Sequence, residues 1–219
     1  MTDIAAVLWD MDGTIVETEP YWIQAEYELA EKYGYEWNEQ HAMELVGSDL
    51  IVSAHYIREH TGLDIPPEQI VHELLERVIA RVRESVPWRP GARELLADLV
   101  DAGIPCALVT MSYLTFVEPV LNHLPRGTFE AVVTGDAVDE GKPHPEAYLT
   151  AAALLGVKPE HCLAIEDSNT GTRSAQAAGC VVLAVPNHVP VEPGERVVFR
   201  DTLVGLDSFA LTHLLNAHG

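Results

Sequence analysis

The sequence predicts an α/β fold: a Rossmann-like parallel-sheet core with an all-helical cap domain inserted after its first strand. Three observations carry this. The apolar run Ala5–Trp9 ends abruptly in Asp10, Met11, Asp12, Gly13 and Thr14, the form of a buried parallel strand meeting a turn. From Pro90 onward short apolar runs alternate with helical patterns, which indicates a parallel sheet covered on both faces. Between Ile15 and Pro87 only helical patterns occur. The core domain is therefore read as residues 1–14 and 89–219, and the helical domain as residues 15–88.

Each element has its own signal. Ile15–Tyr35 carries Glu, Ala, Tyr and Leu at helical spacing and closes near Gly34. Gly47 and Ser48 break a second helical stretch, and Asp49–Thr61 and Pro67–Ser85 read as two more helices. Val71–Glu84 is strongly amphipathic. Pro87-Trp88-Arg89-Pro90-Gly91 punctuates the chain. Beyond it, Ala92–Ala102 is a predicted helix, Pro105–Thr110 a strand, Leu114–His123 a helix and Ala131–Thr134 a short strand. The helix Pro145–Leu155 precedes the strand Cys162–Ile165, the helix Gly171–Ala178 precedes the strand Val181–Val185, and Asp207–Asn216 is the last helix. Residues 186–195 read as a loop.

Composition bounds the function. Apolar content is 47% in 219 residues, enough for a substantial core. Lys plus Arg is 13 against 34 Asp plus Glu, a net charge of −21. That argues against nucleic acid as a partner, because such binding needs a basic footprint. It also means that an anionic substrate would need local positive charge from a metal, a Lys or backbone N–H groups. Cys106, Cys162 and Cys180 are odd in number and lie in or beside predicted strands. They read as buried reduced thiols, which suits a cytoplasmic setting. The N-terminal segment lacks the basic region of a signal peptide, and no stretch of roughly 18 apolar residues predicts a membrane span.

Asp10, Thr110, Lys142 and the pair Glu166-Asp167 all fall at or just beyond predicted strand ends. In a parallel sheet these ends share one edge, where ligands bind. Taken singly, each has an ordinary structural reading: a hydrated turn at Asp10, a helix cap at Thr110, a surface Lys142, a capping cluster at 166–168. Together they offer carboxylates suited to Mg2+, a hydroxyl and N–H groups suited to phosphate, and a balancing ammonium. Asp12 stands two residues from Asp10 and can point toward a leaving group. The set matches phosphoryl transfer through a carboxylate nucleophile.

DMDGT at 10–14, LVTMS at 108–112, GKPHP at 141–145 and IEDS at 165–168 resemble the four signature motifs of the haloacid dehalogenase superfamily. The insert after the first motif resembles the helical cap of its phosphatase and β-phosphoglucomutase branch. The resemblance implies that Asp10 is the nucleophile and that Asp12 is the general acid and then the base. It implies that Thr110 and Lys142 hold the phosphoryl group, with Met11, Met111 and Ser112 as further phosphate contacts. It implies Mg2+ held by Asp10, the Asp12 carbonyl and Asp167, with Glu166 in the first or second shell. The substrate it implies is a small phosphorylated metabolite, with a sugar phosphate favoured by the likeness of ETEPYW (17–22) and VIARVRESVPWRPG (78–91) to bacterial hexitol and 2-deoxyglucose-6-phosphate phosphatases.

Two alternatives stand beside this. Superfamily mutases carry a His on the helix after the first motif, where this chain has Trp22; that departure favours hydrolysis over a β-phosphoglucomutase-like transfer. A non-catalytic binding role on the same fold is the other, although all the motif residues are present. Selection of the leaving group would fall to the helical domain, where Glu19, Trp22, Gly47, Ser48, His55 and Arg58 are the candidates. For Trp22 the competing reading is a core aromatic. For His55 it is a surface His, and for Arg58 a surface ion pair.

Overall fold

The computed structural model describes residues 4–46, 48 and 50–218. The chain divides into two compact units: Met1–Glu17 with Trp88–Gly219, and Thr18–Pro87.

The first unit is a six-stranded parallel sheet. Its strands are β1 (Ala6–Trp9), β2 (Cys106–Val109), β3 (Ala131–Val133), β4 (Cys162–Glu166), β5 (Val181–Ala184) and β6 (Val197–Phe199), in the spatial order β3-β2-β1-β4-β5-β6. β1 lies between β2 and β4, with Val7 beside Cys106 and Leu163. The chain builds outward from β1 to β3, then returns to place β4 on its other side. That makes the β1/β4 boundary the topological switch point, where the crevice of an open α/β sheet forms. All four residues of β1 are buried, which explains its unbroken apolar run. The helices of this unit among the described residues are Ala92–Asp101, Leu114–Leu121, Glu146–Leu155, Asn169–Ala178 and Ser208–His218. Leu8, Val109, Val133, Ala151, Ala164 and Val182 belong to one buried cluster with Tyr148. The three cysteines are buried and unpaired.

The second unit is helical throughout its described residues. Its helices are α1 (Glu19–Tyr33), α2 (Glu39–Leu45), α3 (Leu50–Thr61) and α4 (Pro67–Glu84). The first-unit helices given above are α5 to α9 in chain order. α4 buries Ile70, Leu74, Val78 and Val82, one face at four-residue spacing. Two carboxylates are also buried here. Glu73 accepts from Lys32 at 2.8 Å and Tyr33 at 2.6 Å, and Glu26 accepts from the Trp37 indole at 3.2 Å.

The predicted first helix began at Ile15, but α1 begins at Glu19 with Pro20 in its first turn, a position proline favours. Ile15 and Val16 instead stay with the sheet unit, where Val16 bridges Asp12 and Trp88. The strand β6 was not predicted. It is three residues long at the sheet edge, and only Val198 is fully buried, so it leaves no periodic signal. Among the described residues no helix is long and apolar enough to cross a membrane.

Candidate active site

Asp10 is the first residue past β1. Its backbone N–H donates to Ile165 O at 3.0 Å, so the parallel ladder holds its position. The chain then turns back sharply: Met11 O accepts from the N–H groups of Thr14, Ile15 and Val16 at 3.2, 2.9 and 3.1 Å. Gly13 has φ +84, and an added Cβ would lie 2.0 Å from Asp167 Oδ2. Gly13 is thus required by the left-handed backbone and by the space the Asp167 carboxylate occupies. The tight turn returns Thr14 over Asp10, and its hydroxyl donates to Asp10 Oδ2 at 2.9 Å.

Thr110 follows β2 and is buried. Its Oγ1 accepts the Ser112 N–H at 3.0 Å, and the Ser112 hydroxyl donates to Asp12 Oδ2 at 2.6 Å. The loop 110–112 thereby holds the Asp12 carboxylate across a gap of 100 residues. Met111 is fitted from two sides, because a Cβ at Gly135 would lie 2.2 Å from its carbonyl oxygen and one at Gly141 would lie 2.9 Å from its sulfur. The Lys142 N–H also donates to the Met111 sulfur at 3.2 Å.

Lys142 joins these pieces. Its ammonium donates to Asp10 Oδ1 at 2.8 Å, Glu166 Oε1 at 2.6 Å and Val109 O at 2.9 Å. An ammonium has three donors, and all three are used. Burial opposes its charge, but the attraction and hydrogen bonds of Asp10 and Glu166 outweigh that and raise its pKa above the ordinary lysine value. Lys142 is therefore a fixed cation.

Glu166, at the end of β4, is fully buried. Besides Lys142, its Oε1 accepts from Tyr148 at 2.6 Å, and its Oε2 accepts from the Ser168 hydroxyl at 3.2 Å. Ser168 also caps α8, accepting the Gly171 N–H at 3.1 Å. A Cβ at Gly171 would fall 1.9 Å from Glu166 Oε1, so that glycine makes room for the carboxylate. Burial pushes the Glu166 carboxyl up while Lys142 pulls against it. Asp167 is pushed up to about 8 by burial, then by the charges of Asp10 and Glu166.

The structure thus brings Asp10, Asp12, Thr110, Ser112, Lys142, Glu166 and Asp167 to one edge of the sheet, with Met11 and Met111 in the two turns between them. Oxygen atoms of Asp10, Glu166 and Asp167 lie within 4.8 Å of one another. Three buried or half-buried carboxylates share one ammonium. That excess of negative charge, and the raised Asp167, is what a hard divalent cation would relieve, so the residues fit one.

Three groups escaped the sequence reading. Tyr148 supports Glu166 from below, Thr14 orients Asp10, and Gly171 clears the space for Glu166. Thr14 stands inside the DMDGT motif and was open to notice. Tyr148 lies in α7 as one aromatic on an apolar face, with no sequence signal for its role. Among the described residues, the predicted helical-unit positions are spread over α1, the link between α2 and α3, and α3. Glu19 and Trp22 are half-buried in the first turn of α1, and Ser48 is half-buried between α2 and α3. His55 is exposed, and Arg58 lies 3.8 Å from Asp64, a surface ion pair. His55 and Arg58 line an open groove of about 520 Å³ with Glu59, Gly62, Leu63 and Asp64. Gly47 lies outside the described residues.

Comparison with known proteins follows the same line. A sequence model of haloacid dehalogenase-like hydrolases matches residues 7–185. Hexitol phosphatase B of Escherichia coli is 32% identical over 187 residues, covering 84% of both chains. A fructose-1-phosphate phosphatase of Escherichia coli is 35% identical over 179 residues, 80% of this chain and 93% of that one. Among solved structures, CbbY from Rhodobacter sphaeroides in complex with phosphate superposes with a TM-score of 0.80 at 29% identity, covering 95% of this chain and 99% of that one.

Proposed function

The chain belongs to the haloacid dehalogenase-like hydrolases, and from that premise we propose that it is a Mg2+-dependent phosphatase acting on a small sugar phosphate. Two of the relatives named above are a hexitol phosphatase and a fructose-1-phosphate phosphatase, which supports this substrate class. The observation that carries the reading is the Lys142 ammonium between Asp10 and Glu166, beside Asp167, at the β1/β4 switch point.

Asp10 is the nucleophile. Thr14 and Lys142 each hold one of its oxygens, which fixes the carboxylate for in-line attack on phosphorus. The new Asp10–phosphorus bond forms as the bond from phosphorus to the sugar oxygen breaks. Asp12 gives its proton to that departing oxygen. It then takes a proton from a water, which attacks phosphorus and frees Asp10 and inorganic phosphate. Thr110 and the backbone N–H groups near Met11 and Met111 hold the transferring phosphoryl oxygens, and Lys142 balances their charge. Asp10, Asp167 and the Asp12 carbonyl would hold Mg2+. Glu166 would stand beside them in the first or second shell, holding Lys142 in place. When bound, Mg2+ supplies positive charge that lets an anionic carboxylate approach an anionic phosphate. The helical unit is the part that selects the leaving group.

The test is phosphate release from a panel of sugar phosphates, with and without Mg2+, using Asp10→Asn as control. Turnover that needs Mg2+ and vanishes in the control is the expected result. Turnover retained by Asp10→Asn overturns the nucleophile. Silence on every ester, p-nitrophenyl phosphate included, overturns the phosphatase.

A further inference from the structure

The chain leaves the sheet unit through residues 15–17 and rejoins it through residues 88–89. These two segments run side by side: Val16 bridges Trp88, and the Arg89 N–H donates to Ile15 O at 2.8 Å. A third segment holds both. The Asn187 amide donates to Glu17 Oε2, and its carbonyl oxygen accepts from the Arg89 guanidinium. His188 adds a second contact to the other oxygen of Glu17, at 3.2 Å. An amide donates to a carboxylate through its nitrogen and accepts from a guanidinium through its oxygen, so Asn187 can hold both partners through separate atoms. An aspartate at 187 would satisfy Arg89 and repel Glu17.

The segment that carries Asn187 is itself anchored on both sides. Before it, the Val185 N–H donates to the backbone oxygen of Glu166 at 2.7 Å. After it, Asn169 Nδ2 donates to Pro190 O at 2.9 Å while Asn169 Oδ1 accepts the Glu192 N–H at 2.7 Å. The residues 186–192 are therefore pinned to the end of β4, which carries Glu166, and to the start of α8. A loop held this way can impose a position on what it grips.

We propose that Asn187 is a positioning residue: it clamps the outgoing and returning linkers of the helical unit to the strand end that bears Glu166, and so governs selection of the leaving group. The proposal rests on the phosphatase reading for its kinetic consequence and on nothing beyond the sheet unit for its geometry. Asn187 touches no reacting atom; it acts through Glu17 and Arg89.

The test uses the full chain with Asn187→Asp, and the double variant Asn187→Asp with Glu17→Gln. The double variant reverses donor and acceptor along the same bond while leaving the Arg89 contact in place. Two readouts are taken: amide hydrogen exchange at Val16 and Arg89, and the ratio of kcat/KM for a hexose phosphate to that for p-nitrophenyl phosphate. Asn187→Asp speeds exchange at both amides by at least about tenfold, the lower end of the factor for one hydrogen bond to a charged group. It lowers the kcat/KM ratio by a similar factor through the hexose phosphate alone, and the double variant restores both. Unchanged exchange, or exchange that rises and is not restored, overturns the clamp. Altered exchange with an unchanged ratio overturns its link to selection. If the unmodified protein hydrolyses neither ester, the phosphatase reading fails and the exchange arm alone decides the clamp.

Discussion

Tyr148 and Lys142 donate to the same oxygen of Glu166, each at 2.6 Å. One donor is charged and sits at the site; the other is neutral and reaches in from α7, fully buried. The pair makes Glu166 a fixed anvil for the lysine. Tyr148→Phe removes one of these donors and leaves the ring packing intact. It should cost about 1.5–3 kcal/mol, the range for a hydrogen bond to a charged group, measured by urea unfolding. Turnover should fall less than about tenfold, because Lys142 keeps its bond to Asp10.

Lys142→Met should do far more. It leaves Asp10, Glu166 and Asp167 without their shared cation. Removing one partner of a buried ion pair costs about 3–5 kcal/mol, and turnover should drop by at least about 10²–10³. Unfolding and initial rates measured on one preparation separate the two losses. Lys142→Arg should not restore activity, since a planar guanidinium cannot reproduce three bonds made by one nitrogen.

Gly171→Ala sets two effects against each other. Within the first turn of α8, alanine should gain about 1 kcal/mol of helix propensity. The added Cβ, however, would lie 1.9 Å from Glu166 Oε1 and 2.0 Å from its carboxyl carbon. Overpacking typically costs about 1–3 kcal/mol, and here the displaced group is the anvil of the site. The expected outcome is a lower melting temperature with reduced turnover. A stabilised variant of full activity would contradict the placement of Glu166.

Mg2+ should stabilise the folded chain. At 100 times its Kd, a ligand that binds only the folded state contributes about 2.7 kcal/mol. Thermal unfolding with increasing Mg2+ should show this rise in the parent protein and lose it in Asp167→Asn. Because the readout is unfolding, it holds without any substrate.

Glu26 makes the helical unit sensitive to pH. Burial pushes its carboxyl from the usual 4.5 up to about 8, against the lowering effect of the Trp37 indole. Between those values the folded protein holds a proton that the unfolded chain has released, so stability falls as pH rises through that window and levels off above it. Glu26→Gln keeps an acceptor for Trp37 and should flatten this slope, leaving the variant more stable than the parent above pH 8. Glu73 acts in the opposite sense. Despite its burial, hydrogen bonds from Lys32, Tyr33 and Gln69 hold it down to about 2. Its contribution is present above 4.5 and is lost as pH falls toward 2. Urea unfolding across pH 2–9 on the parent and Glu26→Gln checks both.

Much of the site was legible because most of its groups sit at or just past a strand end, and strand ends of a parallel sheet share an edge. Asp10, Thr110 and Glu166-Asp167 needed only that rule. Lys142 follows the strand β3 through a longer loop, and its place came from the company of the other motifs. The helical unit was legible as helices but not as a site, because side chains such as Glu19, Trp22 and His55 carry amphipathic periodicity whatever their function. The edge strand β6 was too short for any pattern to survive.

The amino-acid sequence by itself determined the chain order of the first five strands and of the helices around them, the insertion of a helical unit after the first strand, and the chemical kinds of group at the sheet edge. These follow from local periodicity and turn chemistry, which neighbours along the chain decide. Only the tertiary structure decided which oxygen meets which donor. Lys142 and Asp10 are 132 residues apart and meet at 2.8 Å; Asn187 and Glu17 are 170 apart and share a hydrogen bond. The register of β1 against β4 sets Asp10 beside the end of β4, and the bonds from Val185 and Asn169 hold the segment that carries Asn187. Hydrogen-bond geometry is decided within tenths of an ångström, a scale on which sequence separation carries no information.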